Sequence, residues 1–226
     1  IAVVTQHNSH AAFVSKALTA GKNVFVEKPL ALNYEQFDMV KKTYNSVIGC
    51  RIMVGFNRRF APHVVKMKEL LSSINEPKSF IMTMNAGVIP PEHWTQDIDA
   101  GGGRIIGEAC HFIDLMRYLA GSEIVSVQAR RMGDSDYIAV SDDKAAIILG
   151  FADGSFGTIH YLANGAASFP KERVEVFAAG KVLQLDNFRK LKGFGFKNFS
   201  KMNLMQQDKG QKACARAFLQ SVAQGE

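Results

Sequence analysis

The chain reads as an α/β protein in which a doubly wound parallel sheet is followed by an α+β open sheet, and three observations predict this. From Ile1 to Phe56, apolar runs of strand character alternate with helical patterns in the order β-α-β-α-β, which needs parallel strands with right-handed crossovers. Beyond Phe56 the texture changes, and short strand-like runs follow one another closely, as in a mostly antiparallel sheet with helices on one face. The turn chemistry agrees, with Gly21 and Gly121 as left-handed helix stops and Asp153-Gly154 as a hairpin turn. The change of texture divides the chain into domains at residues 1–57 and 58–226.

Taken in order, residues 1–5 form a buried strand, and Ser9 is placed to cap a helix running to about Ala20. Asn23 to Val26 make the second strand. Asn33, with Gln36 three residues on, opens a helix to about Val47, and Arg51 to Phe56 form the third strand. Pro62 to Leu71 is a short helix, Lys78 to Ala86 a strand, and Gly87 to Gly103 a Pro- and Gly-rich loop holding Trp94. Arg104 to Ala120 is a helix. Strands follow at about 123–132, 143–151, 155–162, 171–178 and 181–186, then a basic segment read as a mobile surface loop, and a last helix from about Gln211 to Ala223.

Length and composition narrow the function classes. The 226 residues, 47% hydrophobic, suit one large domain or two modest ones with a sizeable core. No apolar run approaches a membrane span, so no membrane partner is expected. Three cysteines, Cys50, Cys110 and Cys214, are widely spaced and lack a CxxC, which favours reduced thiols in a cytoplasmic protein. Between Asn187 and Lys212 seven Lys or Arg face Asp208 alone, an excess of six that equals the whole chain's net charge of +6. The remainder is neutral on balance, which argues against a nucleic-acid partner. The histidines offer neither HExxH nor Cys/His pairs, so no metal site is expected.

Two stretches carry candidate chemistry. In Val24-Phe25-Val26-Glu27-Lys28-Pro29-Leu30 the proline cannot continue a sheet ladder, so Lys28 sits at the exit of a parallel strand, where ligands of open α/β sheets bind. From these residues alone Lys28 is either a cationic donor aimed at a ligand or an ordinary loop lysine. In Gly107-Glu108-Ala109-Cys110-His111-Phe112-Ile113-Asp114, helical spacing makes both carboxylates neighbours of His111, as suits a general base or a purely structural pair. Cys110 points about 100° away from His111 on such a helix, which excludes a thiol–imidazole pair. No GxGxxG occurs, so no pyrophosphate cradle is visible in the sequence.

These residues, together with Val3-Val4-Thr5-Gln6-His7-Asn8-Ser9-His10, Val54-Gly55-Phe56-Asn57-Arg58-Arg59, Gly101-Gly102-Gly103, Asp153-Gly154-Ser155 and Lys171-Glu172-Arg173, resemble the Gfo/Idh/MocA oxidoreductases over nearly the whole chain. The resemblance implies a partial Rossmann domain followed by an open-sheet substrate domain. On that reading residues 1–57 are the C-terminal part of the dinucleotide-binding domain and 58–226 the domain for substrate binding and oligomerisation. It also implies hydride transfer between NAD or NADP and a hydroxyl-bearing carbon of a sugar, nucleotide-sugar or cyclitol. Lys28 is expected to hydrogen-bond the reacting hydroxyl and His111 to take its proton, with Thr5, His7, Asn8, His10, Glu27, Asn57 and Arg58 toward the cofactor. Lys28, Glu108, Asp114 and Lys171 are expected on the substrate side.

Two departures from the family pattern stand out. The family often has Asp four residues before the histidine, where this chain has Gly107, and Glu108 is turned about 100° from that position on a helix. The glycine-rich strand, turn and helix of the dinucleotide fold are missing, so this chain is expected to begin part-way through that domain. A homo-oligomer, dimer or tetramer, is expected through the edge of the first strand or the open face of the second sheet. The alternative reading is a non-catalytic sensor or co-regulator that uses the same fold to bind a dinucleotide or sugar.

Overall fold

The computed structural model describes residues 1–225. Its contacts divide the chain into two compact units, one comprising Ile1–Asn57, Pro90–His111 and the stretch from Gln211, the other Arg58–Ile89 and Phe112–Gly210.

In the first unit, strands β1 (Ala2–Val3), β2 (Val24–Val26) and β3 (Ile52–Val54) pair in parallel in that order, with helices α1 (His10–Thr19) and α2 (Tyr34–Ser46) as the crossovers. The core is a cluster of small branched side chains, Val3, Val24 and Val26 from the sheet against Ala11, Val14, Leu18 and Val40 from the helices. Burying each Val or Leu contributes roughly 1.5–3 kcal/mol, which holds both helices on the sheet. The start of α2 follows the sequence: Gln36 N–H donates to Asn33 Oδ1 (2.9 Å), and Leu32 N–H donates to Gln36 Oε1 (2.9 Å). Gly21, at φ +69°, closes α1, and Lys22 N–H returns to the carbonyl of Ala17 (3.0 Å). The expected Ser9 cap does not form. A 3₁₀ turn, His7–Ser9, runs directly into α1, so Ser9 is already helical (φ −92°, ψ −12°) and its hydroxyl donates back to the Gln6 carbonyl (2.8 Å). The first strand is also shorter than residues 1–5, because Val4 turns out to solvent at 68% exposure.

The second unit is an eight-stranded sheet in the order β11-β10-β9-β8-β4-β7-β6-β5. Its strands are β4 (Ser79–Asn85), β5 (Ile124–Arg131), β6 (Lys144–Phe151), β7 (Phe156–Leu162), β8 (Glu172–Ala178), β9 (Lys181–Asp186), β10 (Lys190–Phe194) and β11 (Lys201–Asn203). All neighbours are antiparallel except β4 and β7. Asp153-Gly154 turns β6 into β7, with Gly154 at φ +85°. Two helices, α3 (Pro62–Leu71) and α4 (Cys110–Ala120), complete the layer, and Lys68 Nζ donates from α3 to the Tyr118 carbonyl (2.7 Å). A Cβ on Gly157 of β7 would stand 2.6 Å from Met116 Sδ and 2.6 Å from Phe80 Cβ, so this glycine sets how closely α4 approaches the sheet.

The basic segment is not a loop. Residues 190–194 and 201–203 pair as an antiparallel hairpin and extend the sheet. The pattern Lys190-Leu191-Lys192 explains it: Leu191 is fully buried while both lysines face solvent, which is strand alternation. A buried ion cluster anchors the unit. Arg58 donates to both oxygens of Glu172 (3.1 Å each), and Lys209 donates to Glu172 Oε1 (2.6 Å).

Candidate active site

Within the first unit, the exits of the three parallel strands meet the segment from Pro90 to His111, and the sequence explains each approach. Glu27 N–H still donates to the Val3 carbonyl (2.9 Å), so the β2 ladder persists to Glu27 and releases the chain at Lys28, whose bond to Pro29 is cis. Pro29 cannot donate, but its carbonyl faces His10 Nδ1 (2.8 Å), while His10 Nε2 faces the Thr5 carbonyl (3.0 Å). His10 is fully buried and ties the β1 exit to the β2 exit. At the β3 exit, a Cβ on Gly55 would lie 3.2 Å from the Glu27 carboxyl group, so the glycine leaves that carboxylate its place.

Lys28 Nζ donates to the carbonyl of Gly107 (2.7 Å), committing one of the ammonium's three N–H donors. Gly107 stands four residues before His111, and the ring of His111 meets Phe56 edge-on at 6.2 Å. The loop after β1 is stitched to the same segment. Asn8 N–H donates to the Ala100 carbonyl (3.1 Å), and His7 Nδ1 lies 2.8 Å from the Gly101 carbonyl. A carbonyl oxygen only accepts, so His7 carries its proton on Nδ1 and its lone pair on Nε2. Burial pushes the His7 imidazole below its ordinary pKa, and the nearby charges of Lys28 and His10 push the same way, against the Gly101 bond and Glu108. His7 is therefore neutral near pH 7. Its ring rests against the edge of Trp94 (4.8 Å), a contact the sequence did not announce beyond placing the single tryptophan in the glycine-rich loop.

The segment leading to His111 is not regular α-helix. Ile105–Ala109 forms a π turn before α4 begins at Cys110. The wider turn changes the phase between Glu108 and His111 from that of a regular α-helix. Glu108 pairs with Arg104 (3.5 Å). Thus Thr5, His7, Asn8, His10, Glu27, Lys28, Asn57, Glu108 and His111 all lie in the first unit. Arg58, Asp114 and Lys171 lie in the second: Arg58 in the Glu172 cluster, Asp114 in an ion pair with Arg59, and Lys171 exposed, its carbonyl accepting from Asn85 N–H (2.8 Å).

Residues 1–56 match the family model described as "Oxidoreductase family, NAD-binding Rossmann fold", and residues 64–181 match the "GFO/IDH/MocA C-terminal domain". The chain belongs to the GFO/IDH/MocA oxidoreductase family. Among GFO/IDH/MocA proteins it is 30% identical over 195 residues to a myo-inositol 2-dehydrogenase of Thermotoga maritima, covering 84% of this chain and 57% of that enzyme. It is 35% identical over 132 residues to scyllo-inositol 2-dehydrogenase (NAD(+)) of Bacillus subtilis, covering 56% of this chain and 36% of that one. The chain thus spans little more than half the length of the curated relatives it matches most extensively. In fold it is similar to a levoglucosan dehydrogenase solved with NADH, at a TM-score of 0.81 and 22% identity over 99% of this chain and 70% of that one. It is equally similar to an oxidoreductase domain protein from Kribbella flavida, at a TM-score of 0.83 and 21% identity over 100% of this chain and 72% of that one. Among the described residues no helix is long and apolar enough to cross a membrane.

Proposed function

We propose that the natural full-length protein is an NAD(P)-dependent dehydrogenase acting on a hydroxyl-bearing carbon of a sugar, nucleotide-sugar or cyclitol. Residues 1–57 are read as the C-terminal part of its dinucleotide-binding domain and 58–226 as its domain for substrate and self-association. The observation that carries the reading is the anchoring of Lys28 on Gly107, in the segment that leads into His111. The names of the inositol dehydrogenases among the relatives support the substrate class.

The donor set fits a nicotinamide with a polyol: an ammonium, a neutral imidazole and a carboxylate at the exits of parallel strands, the place such sheets present to ligands. The nicotinamide, when bound, supplies the hydride chemistry. The chain's own residues handle the proton. Two Lys28 N–H donors remain for the oxygen of the reacting hydroxyl, where they stabilise negative charge as the proton leaves. His111 takes that proton as general base, a role worth about 10²–10⁴ in rate. Thr5, Asn8, Glu27 and Asn57 are assigned to the nicotinamide side, and Arg58 to holding the turn that follows Asn57. His10 supports the Thr5 and Pro29 backbone. Glu108, Asp114 and Lys171 are carried to the substrate side by their family positions.

A homo-oligomer is inferred from the outward face of the large sheet, where Ile81, Ile148, Phe156 and Phe177 are 41%, 44%, 54% and 39% exposed. A second copy would cover it. A cytoplasmic location accords with three cysteines that are all free thiols. The test is reduction of NAD or NADP by the full-length protein with myo-inositol, scyllo-inositol and levoglucosan as substrates. Turnover with one or more of them is expected. Tight binding of NADH without turnover of any would leave the fold as a binder and overturn the catalytic reading.

A further inference from the structure

Position 107 is where the family pattern often has a carboxylate, and the structure gives a reason for glycine here. A Cβ built on Gly107 would stand 2.9 Å from His7 Cε1, closer than real Cβ contacts come, and a tight 3.3 Å from His7 Nδ1. The imidazole of His7, 8% exposed and clamped between the Gly101 carbonyl and Trp94, is not a flexible end that can swing aside. The two residues are therefore one arrangement: the ring occupies the volume that a side chain at 107 would enter. The same Gly107 supplies the carbonyl that holds Lys28.

Building on the dehydrogenase reading above, we propose that His7 is the specificity-determining acceptor of this site, its Nε2 receiving a hydrogen bond from a substrate hydroxyl adjacent to the one held by Lys28. The assignment follows from the ring's constraints. Nδ1–H is spent on Gly101, so Nε2 carries the lone pair, and Nε2 is bonded to Cε1, the atom nearest Gly107. Burial and the Lys28 charge both keep the ring neutral, so it accepts a proton in a hydrogen bond without taking it. A carboxylate accepts several hydrogen bonds and adds a negative charge, whereas this imidazole accepts one and adds none. The site thus selects a polyol with vicinal hydroxyls, one on the ammonium and one on the imidazole, and His7 belongs to the substrate rather than to the cofactor.

The test uses the full-length protein, NAD or NADP in its oxidised form as hydride acceptor for turnover, NADH as the binding probe, and whichever of myo-inositol, scyllo-inositol and levoglucosan the wild type oxidises fastest. His7→Phe keeps a ring and removes the acceptor, and His7→Gln restores an acceptor oxygen. His7→Phe is expected to raise KM for the polyol roughly 5–150-fold, the range for a buried donor left unsatisfied, and to change KM more than kcat. Affinity for NADH, read by fluorescence titration, is expected to stay at the wild-type value, and His7→Gln to recover part of the KM. An unchanged KM in His7→Phe, or a loss of NADH affinity as large as the loss for polyol, would overturn the proposal. A readout independent of turnover is the ¹⁵N resonance of His7, expected as the Nδ1–H tautomer with an Nε2 signal that moves when myo-inositol is added with NADH. A protein that turns over none of the three polyols overturns the dehydrogenase reading. The Nε2 signal then decides the role of His7 by itself, and a signal that does not move refutes it.

Discussion

Removing the carboxylate of Glu172 is the perturbation whose cost the structure specifies best. Glu172 is 1% exposed and Arg58 7%, and the guanidinium spans both carboxylate oxygens at 3.1 Å while Lys209 adds a third contact at 2.6 Å. Arg58 also lies over the rings of Phe112 (5.3 Å) and Phe188 (5.9 Å), so it has no route to solvent once its partner goes. Glu172→Ala leaves a buried cation uncompensated, which costs about 3–5 kcal/mol. At roughly 2–4 °C per kcal/mol for a domain of this size, the melting temperature falls by about 6–20 °C. Glu172→Gln, which keeps the shape and one acceptor, falls less. Burial pushes the Glu172 carboxyl up, but Arg58 and Lys209 outweigh it and hold the group below its ordinary value. A depressed carboxylate contributes stability that is complete above the unfolded-state pKa of about 4.3 and disappears as pH falls through the lower folded value. Circular-dichroism melts of wild type and Glu172→Ala from pH 7 downward therefore begin to converge below about pH 4 and meet only below the depressed folded-state value. A constant gap down to the lowest pH, or a drop of under 1 kcal/mol at pH 7, would refute the account of the cluster.

Other consequences are as direct. Gly157→Ala forces a methyl group against Met116 and Phe80 and is expected to cost about 1–3 kcal/mol in denaturant unfolding. Asn33→Ala removes the cap of α2 and should cost about 1 kcal/mol, with Asn33→Asp close to wild type in the same assay. Ile148→Asp and Phe177→Asp place charges on the outward sheet face and are expected to shift the full-length protein to a smaller species in light scattering. A wild type that is already monomeric would remove that face from the account.

How much of this was legible in the sequence depended on the range of the interaction. The parallel β-α-β-α-β order, the Asn33–Gln36 start and the Asp153-Gly154 turn are local, and the structure follows them. Ser9 failed because a 3₁₀ turn joins α1 without a break, a choice fixed by the Asn8–Ala100 and His7–Gly101 bonds across more than ninety residues. The basic segment reads as a loop because its lysines dominate its composition, while the Leu191 alternation that makes it a strand spans only three residues. The π turn at Ile105–Ala109, ahead of α4, is not visible in the helical spacing of the sequence. The residues alone make Lys28 and His111 candidates, and their roles come from the family resemblance. That Gly107 is a glycine because His7 fills its space could not be read from the chain, since only the fold brings the two together.

In the proposed reaction Lys28 and His111 divide the work of one proton transfer. The most direct measurement is the pH dependence of kcat/KM for polyol oxidation by the full-length protein, compared among wild type, Lys28→Met and His111→Ala. A loss of about 10²–10⁴ is expected in each variant and, in His111→Ala, disappearance of the acidic limb that a general base imposes. Variants that keep the wild-type rate, or a His111→Ala enzyme that keeps the acidic limb, would contradict it.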